Sequence, residues 1–258
     1  MKKTQRLDKV LSHMGYGTRS EIRKMVKGRS IQVNSTAVKD SGLQVDPTLD
    51  TIQINGKFVI YREHIYLMMN KPQDVISATE DNRDRTVLDL LPSEYRAFEP
   101  FPVGRLDKDT VGLLLLTNDG KLAHNLLSPR KHVAKTYYAE VEGRVDQADI
   151  EAFDKGVQLD DFITMPAKLV ILSVSQEEAG LSESAGAPLH PCSRIELTIQ
   201  EGKFHQVKRM FLARGKKVTF LKRLSMGPLR LDDSLAPGEY RELTENELAV
   251  LAGSDKSE

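Results

Sequence analysis

Hydrophobic residues near the start of the chain fall into two helix-like segments, followed by short alternating stretches. The helical spacing is carried by Leu7, Val10, Leu11 and Met14, and then by Ile22, Met25 and Val26. Glycines between the two segments supply a stop, and Thr18 or Ser20 can cap the second helix. Residues 30–34 and 51–56 alternate like half-buried strands. This pattern predicts a small α+β module over residues 1–60.

The remainder of the chain predicts more strands than helices. Apolar runs typical of strands cover residues 65–70, 113–116, 137–141, 168–174 and 194–199, and helices are predicted over 119–127, 147–155, 205–213 and 244–252. Strands and helices do not alternate regularly, so we expect an α+β fold with a mixed, mainly antiparallel sheet over residues 61–252. Residues 175–193, rich in Glu, Ser, Gly, Ala and Pro, are expected to form an exposed mobile loop, and residues 253–258 a disordered tail.

Composition narrows the classes of protein to consider. A chain of 258 residues has room for one large domain and one small domain. It contains no apolar run near the roughly 20 residues that a membrane span requires, and its basic N-terminus lacks the apolar stretch of a signal peptide. The single cysteine, Cys192, excludes an intramolecular disulfide and favours a reducing compartment. We therefore expect a cytoplasmic protein with an inert cysteine and no membrane partner.

Charge is segregated along a chain whose formal net charge is zero. Residues 1–29 carry nine Lys or Arg against two acids, and residues 202–231 carry nine more against none. The two windows thus hold 18 of the 37 basic residues and only two of the 37 acidic ones. Solvated helix faces explain many charge runs, but a polyanion would relieve the repulsion within both windows. The distribution favours a nucleic-acid partner.

Three segments of the first module are typical of one RNA-binding fold. They are Arg6-Leu7-Asp8-Lys9-Val10-Leu11, Thr18-Arg19-Ser20-Glu21 and Gly28-Arg29-Ser30-Ile31-Gln32-Val33-Asn34. Together they resemble the S4 RNA-binding domain over nearly all of residues 4–56. One departure is Ser35, which stands where the family usually has glycine and concerns only the local turn. The resemblance implies an RNA-facing side made of Arg6, Lys9, Arg19, Arg23, Lys24 and Arg29.

A polar, glycine-bounded loop leads directly into an apolar strand in the segment Gly104-Arg105-Leu106-Asp107-Lys108-Asp109-Thr110-Val111-Gly112-Leu113-Leu114-Leu115-Leu116-Thr117. A carboxylate on such a loop is held rigidly by the core while its oxygens face a cleft. From the residues alone, catalysis by Asp107 or Asp109 and a structural brace with Arg105 both remain open. A glycosidase-like acid pair is a third interpretation, although neighbouring loop carboxylates do not fix the separation it needs.

The same loop matches a family signature without a break over ten positions. Its Gly-Arg-Leu-Asp-x-Asp-Thr-x-Gly-Leu pattern resembles pseudouridine synthases of the RsuA type. Further family segments follow in order: Asn70-Lys71-Pro72, Ser128-Pro129-Arg130 with Lys135-Thr136-Tyr137, Glu201-Gly202-Lys203-Phe204-His205-Gln206-Val207-Lys208-Arg209-Met210, and Leu235-Ala236-Pro237-Gly238-Glu239-Tyr240-Arg241. One departure is Asp74, which stands where the family commonly has glycine, two residues after the proline of the first of these segments. The resemblance spans essentially the whole chain.

The resemblance assigns roles to particular residues. Asp107 would be the essential aspartate, acting as nucleophile or general base while the base–sugar bond breaks and the uracil rotates to rejoin through carbon. Tyr137 would stack on the uracil, with a core tyrosine as the alternative, and Lys208 would keep Asp107 ionised. Arg209 would meet phosphate, and Arg105 would help to extrude the uridine from its stack. His205 and Gln206 match the motif but could equally be structural. The reaction implies no cofactor, and the six histidines form no metal-ligand pattern.

The implied function is isomerisation of a uridine to pseudouridine in ribosomal RNA, either free or in an assembly intermediate, by a monomer. Small-subunit RNA is the first choice, because the family branch that acts on large-subunit RNA more often has Asn-Arg where Phe204-His205 stand. Two other classes remain as alternatives. One is a non-catalytic RNA-binding assembly factor, and the other is an N-glycosidase or nuclease acting on RNA.

Overall fold

The structure is a computed structural model that describes residues 4–177 and 190–253. The chain divides into two compact units. The first unit comprises Met1–Ile65, Leu88–Phe101 and Thr117–Asp119, and the second comprises Tyr66–Val87, Pro102–Leu116 and Gly120–Glu258. The first unit therefore draws on three segments of the chain, whereas the sequence pattern placed the small module at residues 1–60 alone.

The first unit consists of short strands with two principal helices. Its elements are β1 (Gln5–Arg6), α1 (Leu7–His13), α2 (Arg19–Lys27), β2 (Ile31–Val33), β3 (Thr36–Ala37), β4 (Gln44–Val45), β5 (Ile52–Ile54), β6 (Lys57–Phe58) and the short α3 (Ser93–Arg96). Strands β3, β2, β5 and β6 form an antiparallel sheet in that order, and β1 pairs antiparallel with β4. The inner faces of α1 and α2 share one core with the sheet, in which Leu7, Leu11 and Ile22 are fully buried.

Local polar contacts fix the start of α2 and the turn after β2. Thr18 caps α2 in a reciprocal capping box, with the Glu21 carboxylate accepting from the Thr18 backbone N–H at 2.7 Å. Asn34 and Ser35 both have positive φ values, 50° and 64°. Consecutive left-handed residues suit a tight hairpin turn and favour glycine. The family's usual glycine at position 35 suits this conformation, and in this chain Ser35 adopts it instead.

Two later segments pack onto the first unit as part of it. Phe98 lies edge-on to the His13 ring at 5.0 Å between centroids, and the Arg62 guanidinium lies 5.5 Å from the centroid of the Phe98 ring. The Asn118 side chain accepts from the backbone N–H of Ile65 at 3.0 Å. These contacts extend the first unit beyond the boundary that periodicity indicated.

The second unit is built on one large sheet. Its elements are β7 (Tyr66–Lys71), β8 (Phe101–Pro102), β9 (Val111–Thr117), α4 (Gly120–Leu127), β10 (Lys135–Glu142), α5 (Gln147–Lys155), β11 (Lys168–Glu177), β12 (His190–Ile199), α6 (Gln206–Ala213), β13 (Lys217–Met226), β14 (Leu229–Arg230), β15 (Tyr240–Glu242) and α7 (Glu245–Gly253), with a 3-10 turn at Pro129–Lys131. A second 3-10 turn, Val87–Leu90, begins at the last residue of a second-unit segment and continues into the first unit. The strand order is β11-β12-β10-β13-β9-β7-β15, with β8 on β9 and β14 on β13.

Pairing in the large sheet is mainly antiparallel, which confirms the predicted α+β class. Strands β10, β11, β12 and β13 pair antiparallel, whereas β9 and β13 pair in parallel at Gly112 and Arg223. Gly112 has φ +100°, and a Cβ there would lie 2.3 Å from the Arg223 carbonyl oxygen. Only glycine allows this approach. The approach joins the strand that follows the polar loop to the centre of the sheet.

Several predicted bounds are corrected by the structure. Strand β13 was not predicted, because its alternation is hidden among lysines and arginines of the second basic window. The predicted loop over 175–193 was too long, since β11 continues to Glu177 and β12 begins at His190; residues 178–189 lie outside the described residues. Helix α7 includes Gly253, and the rest of the predicted tail also lies outside them. No helix in the described ranges is long and apolar enough to cross a bilayer.

Candidate active site

A buried lysine holds the polar loop that precedes β9. Lys71 ends β7 and is completely buried. Its Nζ donates to the carbonyl oxygens of Pro72 at 3.0 Å, Asp107 at 3.1 Å, Lys108 at 3.3 Å and Thr110 at 2.9 Å. Burial lowers the pKa of Lys71 to about 8, and neighbouring aspartates oppose part of that shift. At neutral pH the ammonium therefore keeps its proton and ties down the loop.

Two further contacts from the segment after β7 fix the same loop. The Ser77 hydroxyl donates to the Leu106 carbonyl and accepts from the Leu106 N–H, both at 3.0 Å. The Asp74 N–H donates to the Lys108 carbonyl at 3.0 Å. Asp74 has φ 61°, a left-handed conformation that favours the glycine common in the family. The side chain of Asp107 is thus carried by a backbone that is bonded on both sides.

The Asp107 carboxylate lies between two nitrogen groups at the start of α6. Lys208 Nζ lies 3.2 Å from Asp107 Oδ2, and His205 Nε2 lies 3.5 Å from Asp107 Oδ1. A helix N-terminus carries partial positive charge, which adds to this environment. The Asp107 side chain is 28% exposed, so the carboxylate is partly desolvated and still reachable. Each carboxylate oxygen of Asp107 therefore has a nitrogen group beside it.

Asp109 shares the same lysine from the other side. Lys208 Nζ lies 2.6 Å from Asp109 Oδ1. Burial alone would raise the pKa of Asp109, but the hydrogen bond and charge of Lys208 outweigh it, so the pKa of Asp109 is lowered. Lys208 therefore links two carboxylates. Asp109 is the more exposed of them, at 67%.

Asp107 lines a solvent-open cavity of about 130 Å³ on the second unit. Its lining combines the loop, β10, β12, the start of α6 and β13, and includes Arg105, Asp107, Lys135, Tyr137, Ile199, His205, Lys208, Leu221 and Arg223. Tyr137 lies on β10 and is 7% exposed. The cavity thus presents one carboxylate, an aromatic ring and several cations. No group of His, Cys, Asp or Glu in the described ranges could hold a metal ion.

This arrangement can be compared with known proteins. Residues 65–213 match the family model described as RNA pseudouridylate synthase, and residues 5–50 match the S4 domain. The chain belongs to the RNA pseudouridylate synthase family. The predicted family, fold class and isomerase activity are therefore confirmed.

Three relatives of the synthase cover nearly all of it. It is 50% identical over 247 residues to an uncharacterised RNA pseudouridine synthase of Bacillus subtilis strain 168, a match that covers 95% of this chain and 98% of the relative. It is 37% identical to the ribosomal large subunit pseudouridine synthase B of the same organism, over 96% of this chain and 95% of the relative. It is also 37% identical to the ribosomal small subunit pseudouridine synthase A of Escherichia coli strain K12, over 95% of this chain and 98% of the relative.

The structure brings most of the predicted site residues of the synthase together. Asp107, Tyr137, Lys208 and the exposed Arg105 all line the cavity. Arg209 does not, because its guanidinium pairs with Asp161 and lies over the Phe162 ring. Arg209, which we expected to contact phosphate, therefore forms an ion pair with Asp161 in this structure.

The second basic window of the synthase is partly neutralised within the fold. Arg214 and Lys216 both contact the completely buried carboxylate of Asp149, at 3.1 Å and 2.9 Å. Together with the ion pairs of Lys208 and Arg209, these contacts use four of the nine cations. Four cations of the window therefore serve as counter-charges to acids elsewhere in the fold.

The predicted RNA-facing residues of the first unit of the synthase all lie at the surface. They are Arg6, Lys9, Arg19, Arg23, Lys24 and Arg29. Arg6 also has an internal partner, because its guanidinium contacts the buried Asp8 carboxylate at 2.7 Å. That hydrogen bond lowers the pKa of Asp8 against the opposing effect of burial. Arg6 thus braces α1 as well as adding to the basic surface.

Sequence reasoning missed several residues of the site. Lys71 was noted only within the Asn-Lys-Pro segment, and Ser77 was not noticed. Lys135 was noted only within the Lys-Thr-Tyr segment and Arg223 only as one cation of the second basic window, yet both line the cavity. Gln206, left undecided, is buried, donates to Glu201 at 2.7 Å and also lines the cavity. The Asn-Lys-Pro motif was the one signal that could have pointed to Lys71.

Proposed function

We propose that this synthase converts a specific uridine to pseudouridine in ribosomal RNA, with small-subunit RNA as its substrate. In this proposal Asp107 is the reacting carboxylate, Tyr137 is the platform for the uracil, and Lys208 holds the Asp107 carboxylate in position. The protein works in the cytoplasm as a monomer and contributes to ribosome biogenesis, on free RNA or on an assembly intermediate.

One observation carries the proposal: a rigidly held carboxylate meets an aromatic ring in a cavity lined by cations. Asp107 is fixed through its backbone by Lys71 and through its side chain by Lys208 and His205. Preorganised charge of this kind stabilises a transition state without reorganisation during the reaction. A non-catalytic assembly factor has no need of such an arrangement.

The chemistry requires an anion near the sugar. As the bond between uracil N1 and C1′ breaks, positive charge develops on the sugar, and the Asp107 carboxylate stabilises it. The released uracil turns and C5 bonds to C1′, after which the C5 hydrogen leaves as a proton and N1 gains one. Reactant and product are isomers, so the reaction needs no external electron donor or acceptor.

The uridine must leave its stack to reach the cavity. Extrusion costs a few kcal/mol, which phosphate contacts and stacking on an aromatic ring can offset. In this proposal Arg105, exposed at the cavity, supports the extruded nucleotide, and Tyr137 provides the stacking surface. The basic surface of the first unit supplies contacts to the phosphate backbone.

Large-subunit RNA is the second candidate substrate, because the chain is equally similar to a large-subunit and a small-subunit synthase. Phe204 and His205 favour the small-subunit choice. They stack at 3.8 Å between ring centroids, and His205 contacts Asp107, so these two positions lie beside the reacting carboxylate. A difference there is well placed to distinguish substrates.

The deciding experiment supplies the purified protein with small-subunit and large-subunit ribosomal transcripts, and with assembly particles of each. Pseudouridine is then mapped chemically at nucleotide resolution. We expect one modified uridine in small-subunit RNA. Modification confined to large-subunit RNA would select the second candidate, free uracil would indicate a glycosidase, and unchanged nucleosides in every sample would reject the proposal.

A prediction for RNA docking concerns two exposed cations on α2. In the double variant Arg23→Gln/Lys24→Gln we expect about tenfold weaker RNA binding, and a salt slope reduced by about two, because two phosphate contacts are lost. Affinity is measured by filter binding across a salt series. The matched control is Lys39→Gln/Lys57→Gln, which removes two exposed charges elsewhere on the first unit. Equal effects of both pairs would show that only net charge matters.

A further inference from the structure

The floor of the cavity is one face of three neighbouring strands. Lys135 and Tyr137 lie two residues apart on β10, so their side chains leave the same face of the sheet. Ile199 on β12 is directly opposite Lys135, and Arg223 on β13 is directly opposite Tyr137. All four residues line the cavity. The register therefore places two cations next to Tyr137: Lys135 on the same strand and Arg223 on the neighbouring strand.

These two cations lack anionic partners. Arg223 is 2% exposed, and its Nε donates to the Leu113 carbonyl at 2.7 Å, while its Nη2 is buried with no hydrogen-bond partner among the described residues. Lys135 Nζ donates to the Val133 carbonyl at 2.8 Å. Neither cation forms an ion pair with a carboxylate in the part of the chain that the structure describes. Buried charge is ordinarily paired, so this arrangement needs an explanation.

Two further observations describe the surroundings of these cations. Burial, followed by the charge of Arg223, lowers the pKa of Lys135. A second buried polar atom without a partner, Thr110 Oγ1, also belongs to a residue that lines the cavity. The fold therefore holds positive charge and unused hydrogen-bonding groups beside the place where the uracil is expected. Such groups are satisfied when an acceptor with negative charge enters.

We propose that Lys135 and Arg223 form a cationic floor that stabilises the uracil anion released when the base–sugar bond breaks. This inference rests on the proposed function and deepens it. It names the residues that stabilise the negative charge on the base, in addition to the one that stabilises the positive charge on the sugar. Asp107 faces the developing positive charge on the sugar, and the floor faces the developing negative charge on the base.

The electron count explains why the base needs a counter-charge. Heterolysis of the N1–C1′ bond leaves its electron pair on the uracil, whose negative charge spreads over N1 and the two carbonyl oxygens. Bond formation from C5 returns an electron pair to C1′, the C5 proton passes to water, and N1 takes up a proton from water. A fixed cation in a partly desolvated site lowers the energy of this anion more than a solvated cation would.

The test compares Lys135→Met with Lys135→Arg on two synthetic RNAs. Both RNAs span the mapped uridine, and one carries 5-fluorouridine at that position. Fluorine withdraws electrons, so 5-fluorouracil is a better leaving anion with less need of stabilisation. Fluorine also cannot leave as a proton, so the reaction of that RNA is followed as loss of 5-fluorouridine.

With enzyme in saturating excess, we expect Lys135→Met to slow uridine conversion by about tenfold or more and 5-fluorouridine loss by less than about threefold. Lys135→Arg, which keeps the charge, should stay within about threefold of the wild type on both RNAs. The same comparison with Lys135→Gln ensures that the conclusion does not depend on how one neutral side chain packs. Melting temperatures establish that the variants are folded.

Three results would contradict the proposed role of the cationic floor. Equal slowing on the two RNAs would show that Lys135 acts on geometry rather than on the leaving anion. Weaker RNA binding with an unchanged rate at saturation would assign its charge to a phosphate. Unchanged rates on both RNAs would leave the charge without a role in the reaction. Conversion of the uridine RNA by the wild type measures the proposed function independently of these ratios.

Discussion

We expect replacement of Asp107 with asparagine to abolish isomerisation and to leave RNA binding intact. We expect the single-turnover rate to fall by about 10⁴-fold or more, as is typical when a reacting nucleophile or base is removed. Asparagine has the size of aspartate and can still accept a hydrogen bond from Lys208, so the cavity keeps its shape. It lacks the charge that meets the developing positive charge on the sugar. Pseudouridine is quantified by nucleoside mass spectrometry, and affinity by filter binding.

The neighbouring carboxylate provides a matched control for this prediction. Asp109 contacts the same Lys208 at 2.6 Å but is not among the described residues that line the cavity. Asp109→Asn should therefore slow the reaction by less than about tenfold, through a changed position of Lys208. If Asp107→Asn kept most of the activity, or if the two variants were equally impaired, Asp107 would not be the reacting group.

Replacing Lys71 with methionine should impair both stability and catalysis. Methionine fills similar space but removes the donor that four carbonyl oxygens share, and among the described residues only those of Asp107 and Lys108 keep a backbone N–H donor. We expect the free energy of unfolding to fall by about 3 kcal/mol. Because the loop no longer holds Asp107 in position, the rate at saturating RNA should fall by about 100-fold. Denaturant unfolding and single-turnover kinetics measure the two effects.

Lys108 offers the control for Lys71. Its ammonium makes an ion pair with Asp84 at 2.7 Å, with both side chains substantially exposed. Such surface pairs contribute little, so Lys108→Met should change the free energy of unfolding by less than about 1 kcal/mol. A Lys71→Met protein that was as stable and as active as the wild type would show that the loop keeps its conformation without the buried ammonium.

The local spacing of hydrophobic residues was sufficient to predict many helices and strands of this fold. Helix α5 spans Gln147–Lys155, the residues that the apolar spacing indicated, because its amphipathic face and its capping Asp146 are both local signals. Strand β13 escaped prediction for the opposite reason. Its sequence carries three cations, and the burial of Arg223 depends on the register with β9 and β10, which no local pattern reveals.

The same distinction between local signals and contacts distant in sequence applies to the site. Asp107, Tyr137 and Lys208 could be identified because they belong to contiguous motifs that resemble a known family. The contacts of Lys71 and Arg223 could not be predicted, since their partners are backbone carbonyls distant in sequence: Lys71 reaches Thr110, and Arg223 reaches Leu113. A side chain that bonds to a backbone carbonyl can do so whatever residue carries that carbonyl, so the partner's identity gives no signal. The ion pair of Arg209 could not be predicted either, because Asp161 lies 48 positions away.

The composite first unit restricts how evolution or an engineer could exchange RNA-docking modules between synthases. A crossover after residue 60 would separate His13 from the Phe98 ring, and Arg62 and Ile65 from the residues that precede them in the first unit. The recipient would keep Phe98 without the His13 ring that lies against it. An exchange that preserves these contacts must therefore transfer all three stretches of sequence together.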